Sequence, residues 1–298
     1  MSHPFRTRNP YLQALRLHQW AKNTLVVVPL VLGGKAYDVV AWGRLAVGFL
    51  ALSLLASATY LINDIRDVED DRRHWSKCNR PIANGTLPIA HERAMAGVGV
   101  IASFALGISM GLGAAAILAL YLVLSLAYSF QLKREPIVDV LALASLFTVR
   151  LGLGVVLGEV VFSPWLFVFS MFVFLSVSLA KRFNEVARMS NHGLTRAPGR
   201  GYDAADEPIV LALGIAAMLG AVLILVIYLI DEAFPATFYA HPYFLWAVPA
   251  ILFLWLGRIW LLSLRGVVDD DPVLFALKDR TSIAYGALVV IAIFAAIL

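Results

Sequence analysis

The sequence predicts an all-α polytopic membrane protein, a nine-helix transmembrane bundle that takes up residues 1–298 as a single integral membrane domain. Three observations predict it. Of the 298 residues 60% are hydrophobic and 15% charged, and the mean hydropathy is +0.80, which is the balance of a chain solvated by lipid. Apolar runs recur along the whole chain, each approaching the ~20 residues that a bilayer crossing needs. Lys and Arg gather in every second connection, which gives the membrane two unequal faces.

In order, the runs lie near residues 24–34, 45–62, 95–112, 114–130, 137–157, 164–180, 208–230, 243–264 and 282–298. The first is short. The second ends directly on an acidic stretch that begins at Asn63. Only Met110-Gly111-Leu112-Gly113 divides the third from the fourth, so eight and ten are the neighbouring counts. Pro136 divides the fourth from the fifth, and the sixth ends on Lys181-Arg182. Asp269-Asp270-Asp271-Pro272 precedes the ninth, and Asp before Pro is an ordinary helix start. Gly and Pro inside several runs are usual in membrane helices, whose neighbours satisfy the freed backbone groups. About 22 polar or basic residues precede the first run and no small-residue cleavage site follows it, so no cleavable signal peptide is expected.

With nine crossings, the amino terminus shares a face with the connections after runs 2, 4, 6 and 8. Outside the runs, that face holds every Lys and Arg except Lys35 and Arg44, and Arg150 is intramembrane. The other face carries those two cations with Asp38, Glu159, Asp231 and Glu232. The amino terminus is therefore expected in the cytoplasm and the carboxyl terminus outside. The net charge of +4 expresses this asymmetry and implies no nucleic-acid partner. Cys78, the single cysteine, has no partner for an intramolecular disulfide and falls on the cytoplasmic side.

The stretch Asn63-Asp64-Ile65-Arg66-Asp67-Val68-Glu69-Asp70-Asp71 carries the chemistry. If the helix continues past residue 62, Asn63, Asp67 and Asp71 recur at i, i+4 and i+8 and stack on one face. Two unit charges ~4 Å apart repel by roughly 4 kcal/mol at an effective dielectric near 20, so clustered carboxylates call for cations. Hard oxygen ligands suit Mg²⁺, which takes one or two protein carboxylates and leaves its other positions to water and substrate phosphates. A diphosphate substrate is implied. The competing reading is a solvated, salt-bridged helix end, with Arg66 and Asp70 as an i, i+4 pair.

Cations collect on the same face: Arg16 and Lys22 before the first run, then Lys77, Arg80, Lys133, Arg134, Lys181, Arg182, Arg188, Arg196 and Arg200 after runs 2, 4 and 6. They would bind the rest of a polyanion, although positive-inside topology also accounts for them. Arg182 and Glu185 lie at i, i+3 at the depth of the acidic ladder. Lys133 and Asp139 flank Pro136, with Tyr128 and Ser129 about one turn earlier, as a second wall of one cytoplasmic cavity. Asp139 and Arg150 are three helical turns apart and face the interior, where an ionisable group costs at least ~2.5 kcal/mol and marks function or a polar contact between helices. His18, His74 and His91 show no metal-ligand spacing, and nucleophile elbow, Walker loop and paired-cysteine motifs are absent.

Through these residues the chain resembles the UbiA-type intramembrane prenyltransferases. Asn63-Asp64-x-x-Asp67-x-x-x-Asp71 matches their first Asp-rich motif at every defined position, and Arg80-Pro81-Ile82-Ala83-Asn84-Gly85 is similar to the segment that follows it. Quinone-type members carry a second Asp-x-x-x-Asp cluster after helix 6, where this chain has Lys181-Arg182-Phe183-Asn184-Glu185. That change resembles the branch that joins phosphoribosyl diphosphate to a polyprenyl phosphate. Arg16-x-x-Gln19-Trp20-x-Lys22-Asn23 and Tyr128-Ser129-x-x-Leu132-Lys133 are further similarities to it.

The resemblance implies a Mg²⁺-dependent phosphoribosyl transfer in a bacterial inner membrane, with the site at the cytoplasmic side. Asn63, Asp64, Asp67 and Asp71 would hold the metal on the donor diphosphate, and Arg66, Lys77 and Arg80 would help neutralise it. Lys22, Lys133, Lys181 and Arg182 would bind the donor 5-phosphate or the acceptor phosphate. Asn23, Tyr128, Asp139 and Arg150 would line the site, and a carboxylate such as Glu185 would stabilise charge on the ribosyl ring. The alternatives are a polyprenyl diphosphate donor with an aromatic or other small acceptor, and a membrane transporter. A homo-oligomer is compatible with the sequence.

Overall fold

The computed structural model describes residues 9–73, 77–191, 201–268 and 271–298, so His74, Arg196, Arg200, Asp269 and Asp270 lie outside the described residues. The helices are α1 (Pro10–Ala14), α2 (Val28–Leu32), α3 (Val39–Arg66), α4 (Val68–Arg73), α5 (Ile89–Ser109), α6 (Leu112–Phe130), α7 (Val138–Gly158), α8 (Pro164–Asn191), α9 (Glu207–Tyr228), α10 (Ala247–Leu264), α11 (Pro272–Ala276) and α12 (Arg280–Ile297). Eight helical segments among the described residues are long and apolar enough to cross a membrane. The chain forms two compact units, Met1–Phe130 with Val149–Val161, and Gln131–Thr148 with Phe162–Leu298.

In the first unit the run expected at residues 24–34 departs from an α-helix. It is a 3₁₀ segment of 11 residues, Leu17–Val27, followed by the 5 residues of α2. As α-helix that pair would reach only about 24 Å at ~1.5 Å per residue. At the ideal 3₁₀ rise of ~2.0 Å per residue the same 16 residues would reach about 30 Å. It lies along α3: the Trp20 indole donates to Ser57 Oγ and the Asn23 amide to Ser53 Oγ, both at 2.9 Å. On α7 a Cβ added at Gly154 would stand 2.1 Å from the Val26 carbonyl oxygen, so only glycine admits the segment there. α3 is the buried centre, opened by Asp38, whose side chain accepts the Ala41 N–H at 3.0 Å. α5 and α6 form a hairpin through Gly111, whose φ of 114° a side chain would oppose.

In the second unit α9 packs closely on both α8 and α10 where small residues face large ones, Gly220 against Phe172 of α8 and Gly214 against Trp260 of α10. A polar thread crosses three helices, the Trp260 indole donating to Ser176 Oγ and Ser176 Oγ to the Gly214 carbonyl, each at 2.9 Å. The sixth run does not stop at residue 180. α8 continues to Asn191 because Phe183, Val186 and Met189 keep an apolar face that is buried. Lys181, Arg182, Glu185 and Arg188 thus stand on a helix and not in a loop. Asp271 caps the short α11, and the last long helix starts later, under the cap of Asp279.

Candidate active site

α3 ends at Arg66 and α4 begins at Val68, yet the turn-closing hydrogen bonds run on across the joint. Asp67 N–H donates to the Asn63 carbonyl at 2.9 Å, and Asp71 N–H to the Asp67 carbonyl at 2.8 Å. Asn63, Asp67 and Asp71 therefore keep their i, i+4, i+8 register, with Asp67 as the joint. Burial distinguishes them. Asp64 and Asp71 are each 2% exposed, while Asn63 and Asp67 are half-buried.

Both buried carboxylates are met by guanidinium groups. One Nη of Arg16 lies 2.6 Å from each oxygen of Asp64. One Nη of Arg80 lies 2.9 Å from Asp64 and 2.5 Å from Asp71, bridging the two. Arg16 occupies the left-handed region (φ 51°) at the entry to the 3₁₀ segment and stacks 4.9 Å from the Tyr60 ring centre. A non-glycine residue there is held against a cost of order 1–3 kcal/mol, which persists only where surrounding contacts over-determine it. Burial opposes the charge on Arg16, but Asp64, Tyr60 and Asp71 outweigh it and hold the guanidinium above its ordinary pKa. Burial likewise pushes the Asp71 carboxyl above the usual carboxylate range despite Arg80 beside it.

Glu92, in the first turn of α5, is a third enclosed carboxylate at 1% exposure, within electrostatic reach of Asp64, Arg16 and Arg80. The seat of Arg16 on Asp64 was not signalled by spacing, because 48 residues separate the two.

Among the described residues no three His, Cys, Asp or Glu side chains converge as a metal cluster. Mg²⁺ on a diphosphate needs one or two protein carboxylates and completes its shell with water and phosphate oxygens. The hard oxygens of Asn63, Asp67 and Asp71 are of the right kind, whereas both oxygens of Asp64 are engaged by Arg16.

The other expected residues of this unit make their own contacts. Arg66 donates to the Phe130 carbonyl at 2.9 Å and stacks on the Phe130 ring, a cap on α6 in place of the pair with Asp70 that the competing reading of a salt-bridged helix end required. Lys77, half-buried, is within electrostatic reach of Asp71. Asn23 and Arg150 meet each other: Arg150 Nε donates to Asn23 Oδ1 at 2.9 Å and its Nη to Tyr121 at 3.2 Å. These three residues tie the 3₁₀ segment, α6 and α7 into a buried polar network. Lys22 is half-buried on that segment, and Tyr128 in the last turn of α6.

The second unit holds its own cluster. Arg182 and Asp139 are both fully enclosed, with an Arg182 Nη 2.7 Å from Asp139 Oδ2, and the other Nη pairs with Glu185. Tyr202, 1% exposed and not anticipated from sequence, donates its hydroxyl to Asp139 Oδ1 at 2.7 Å and places its ring 5.5 Å from Arg182. Burial and the neighbouring Asp139 hold the Tyr202 hydroxyl above its ordinary pKa, so it stays a donor. Lys181 and Lys133 are half-buried, the latter in the 3₁₀ turn Leu132–Arg134.

Comparison with known proteins bears on the family and the fold. Residues 25–278 match the UbiA prenyltransferase family. The chain is 41% identical over 97% of its length to the uncharacterized protein y4nM of Sinorhizobium fredii, of which it spans 55%. It is 30% identical over 94% of its length to nodulation protein NoeC of Azorhizobium caulinodans, spanning 90% of that protein. With decaprenyl-phosphate phosphoribosyltransferase of Mycobacterium tuberculosis the identity is 36% over 59% of this chain and 59% of that one. A UbiA homolog from Archaeoglobus fulgidus, solved bound to GPP and Mg²⁺, superposes with a TM-score of 0.70 over 97% of this chain and 98% of that one, at 13% identity, which speaks for the fold. A family match over most of the chain, on an all-helical membrane protein that carries the ladder and its arginines, makes this chain a member of the UbiA prenyltransferase family.

Proposed function

We propose that the chain transfers 5-phosphoribosyl from phosphoribosyl diphosphate to a polyprenyl phosphate, releasing diphosphate, at the cytoplasmic side of a bacterial inner membrane. The observation that carries the reading is the pairing of one carboxylate ladder with Lys181-Arg182, where a second carboxylate pair would serve a second metal. A phosphoribosyl donor brings a 5-phosphate apart from its diphosphate, and the acceptor brings another phosphate, so extra Lys and Arg are required where an enzyme for a prenyl donor uses a second metal. The identity to decaprenyl-phosphate phosphoribosyltransferases over 59% of the chain supports it.

Asn63, Asp67 and Asp71 would hold Mg²⁺, which when bound would stabilise the leaving diphosphate. Arg80, bridging Asp64 and Asp71, presents a guanidinium edge beside the ladder, and Arg16 locks Asp64 so that Arg80 has a fixed seat. As the bond from the anomeric carbon to the diphosphate oxygen breaks, an oxygen of the lipid phosphate forms the new bond to that carbon. No proton need move, because the attacking phosphate is already anionic. Glu185 offers a carboxylate to the positive charge that develops on the ring. Lys133 and Lys181 take the 5-phosphate or the acceptor phosphate, and the apolar helices admit the isoprenoid tail from the lipid.

A second reading keeps the fold and uses a polyprenyl diphosphate donor with a small acceptor. One observation favours it: Arg182 is enclosed between Asp139 and Glu185, so its charge is balanced inside the protein. The test of the first reading is transfer of label from phosphoribosyl diphosphate into the lipid phase by purified protein with decaprenyl phosphate. Transfer should require Mg²⁺ and stop with EDTA or with Asp67→Asn; absence of label in the lipid with metal present would remove it.

A further inference from the structure

The turn that starts α7 is strained. Val138 N–H donates to the Pro136 carbonyl at 2.8 Å, closing a three-residue γ-turn around Ile137, whose φ is 68°. This is the rare sense of that turn, and a β-branched residue is poorly suited to it. Tyr202 holds it. The tyrosine hydroxyl accepts the Ile137 N–H at 2.8 Å and donates to Asp139 Oδ1 at 2.7 Å, so it fixes both the turn and the carboxylate that follows. Gly201 permits the approach, since a Cβ there would lie 2.3 Å from the Arg134 carbonyl oxygen. From Asp139 the contacts pass to Arg182 and from Arg182 to Glu185. Tyr202, Asp139 and Arg182 are enclosed; the Glu185 side chain, 27% exposed, is the member of the chain that reaches outward.

We propose that Tyr202 is a positioning residue: through Asp139 and Arg182 its hydroxyl sets the place of the Glu185 carboxylate against the donor substrate. The proposal rests on the reading of Glu185 as the carboxylate beside the reacting carbon. Arg182 is shared between two carboxylates, so the hold of one governs its reach to the other. Without the tyrosine hydroxyl, Asp139 loses a hydrogen-bond donor and draws the guanidinium inward, away from Glu185. Linked polar groups in a low-dielectric interior respond together in this way.

A double-mutant cycle tests it on purified full-length protein, using whichever labelled donor the wild type turns over, phosphoribosyl diphosphate or a polyprenyl diphosphate, so the donor's identity does not enter. Tyr202→Phe keeps the ring on Arg182 and should lower kcat about tenfold with KM nearly unchanged, whereas in a Glu185→Gln background it should lower kcat less than about twofold. Asp139→Asn should repeat the pattern and stands in if Tyr202→Phe does not fold. Amide exchange, which needs no turnover, should quicken at residues 137–139 and 182–185 in Tyr202→Phe. An equal loss in both backgrounds, unchanged kcat in Tyr202→Phe, or faster exchange confined to residues 201–206 would overturn the relay. A Glu185→Gln enzyme as fast as wild type would instead overturn the reading of Glu185 on which it rests.

Discussion

Asp64 and Asp67 stand three residues apart on the same acidic stretch and differ in what they hold. Asp64 is enclosed and bonded to Arg16 and Arg80. Replacing it with Asn strips Arg16 of its counter-charge and leaves Arg80 with Asp71 alone, and the expected loss is about 3 kcal/mol of stability, read as a lower melting temperature in detergent. Asp67, half-buried at the joint, should show its effect in catalysis: Asp67→Asn abolishes turnover while the protein still folds and inserts. Lys181→Ala should lower turnover by at least about 100-fold while the protein still inserts and melts normally; an active Lys181→Ala enzyme would remove that lysine from the site. The ladder itself was legible because i, i+4, i+8 spacing needs only local geometry. The arginines that occupy it were not, since Arg16 reaches Asp64 across 48 residues and only the fold decides that distance. Tyr202 was invisible for the same reason, lying 63 residues from Asp139.

Hydropathy located the long helices because bilayer thickness imposes their length, but it misjudged the ends. α8 runs past its cations because Phe183, Val186 and Met189 keep one face buried, a spacing that averaging over a window conceals. The opening run is not one α-helix but a 3₁₀ segment laid against Gly154, followed by the five residues of α2. Gly154→Ala should therefore cost about 1–3 kcal/mol, because the methyl group would meet backbone that has no rotamer to change. At the other end of the chain Asp279 caps α12 and grips Arg258 with contacts of 2.6 and 3.1 Å. The hydrogen bond from Arg258, joined by that from Ser282, holds its carboxyl below the usual range against burial. A lowered carboxylate contributes stability above its ordinary value near 3.8 and loses it as pH falls through the lowered one. Asp279→Asn, which keeps the cap, should melt below wild type by about 1 kcal/mol at pH 7, with the gap closing as pH is taken below 3.8.

For the molecule as a whole, the distribution of Lys and Arg predicts which ends face the cytoplasm. Cys78 is the single cysteine, so a Cys78→Ser protein gives a clean background for labelling. Cysteine at the exposed Asn79 should react with an impermeant maleimide only in inside-out vesicles, and cysteine at the exposed Tyr37 only in intact cells; the reverse pattern would invert the topology. Family and fold follow from composition and a few motif residues. Substrate does not, because the choice between donors turns on how many phosphates the cations must balance, and Arg182 is partly balanced by Asp139 and Glu185. The most direct measurement is a paired assay of the purified protein with Mg²⁺: labelled phosphoribosyl diphosphate with decaprenyl phosphate, and labelled polyprenyl diphosphate with 4-hydroxybenzoate. A phosphoribosyltransferase puts label into the lipid in the first reaction and leaves the aromatic acid untouched in the second; prenylation of the acid with no label in the lipid would contradict the donor assigned here.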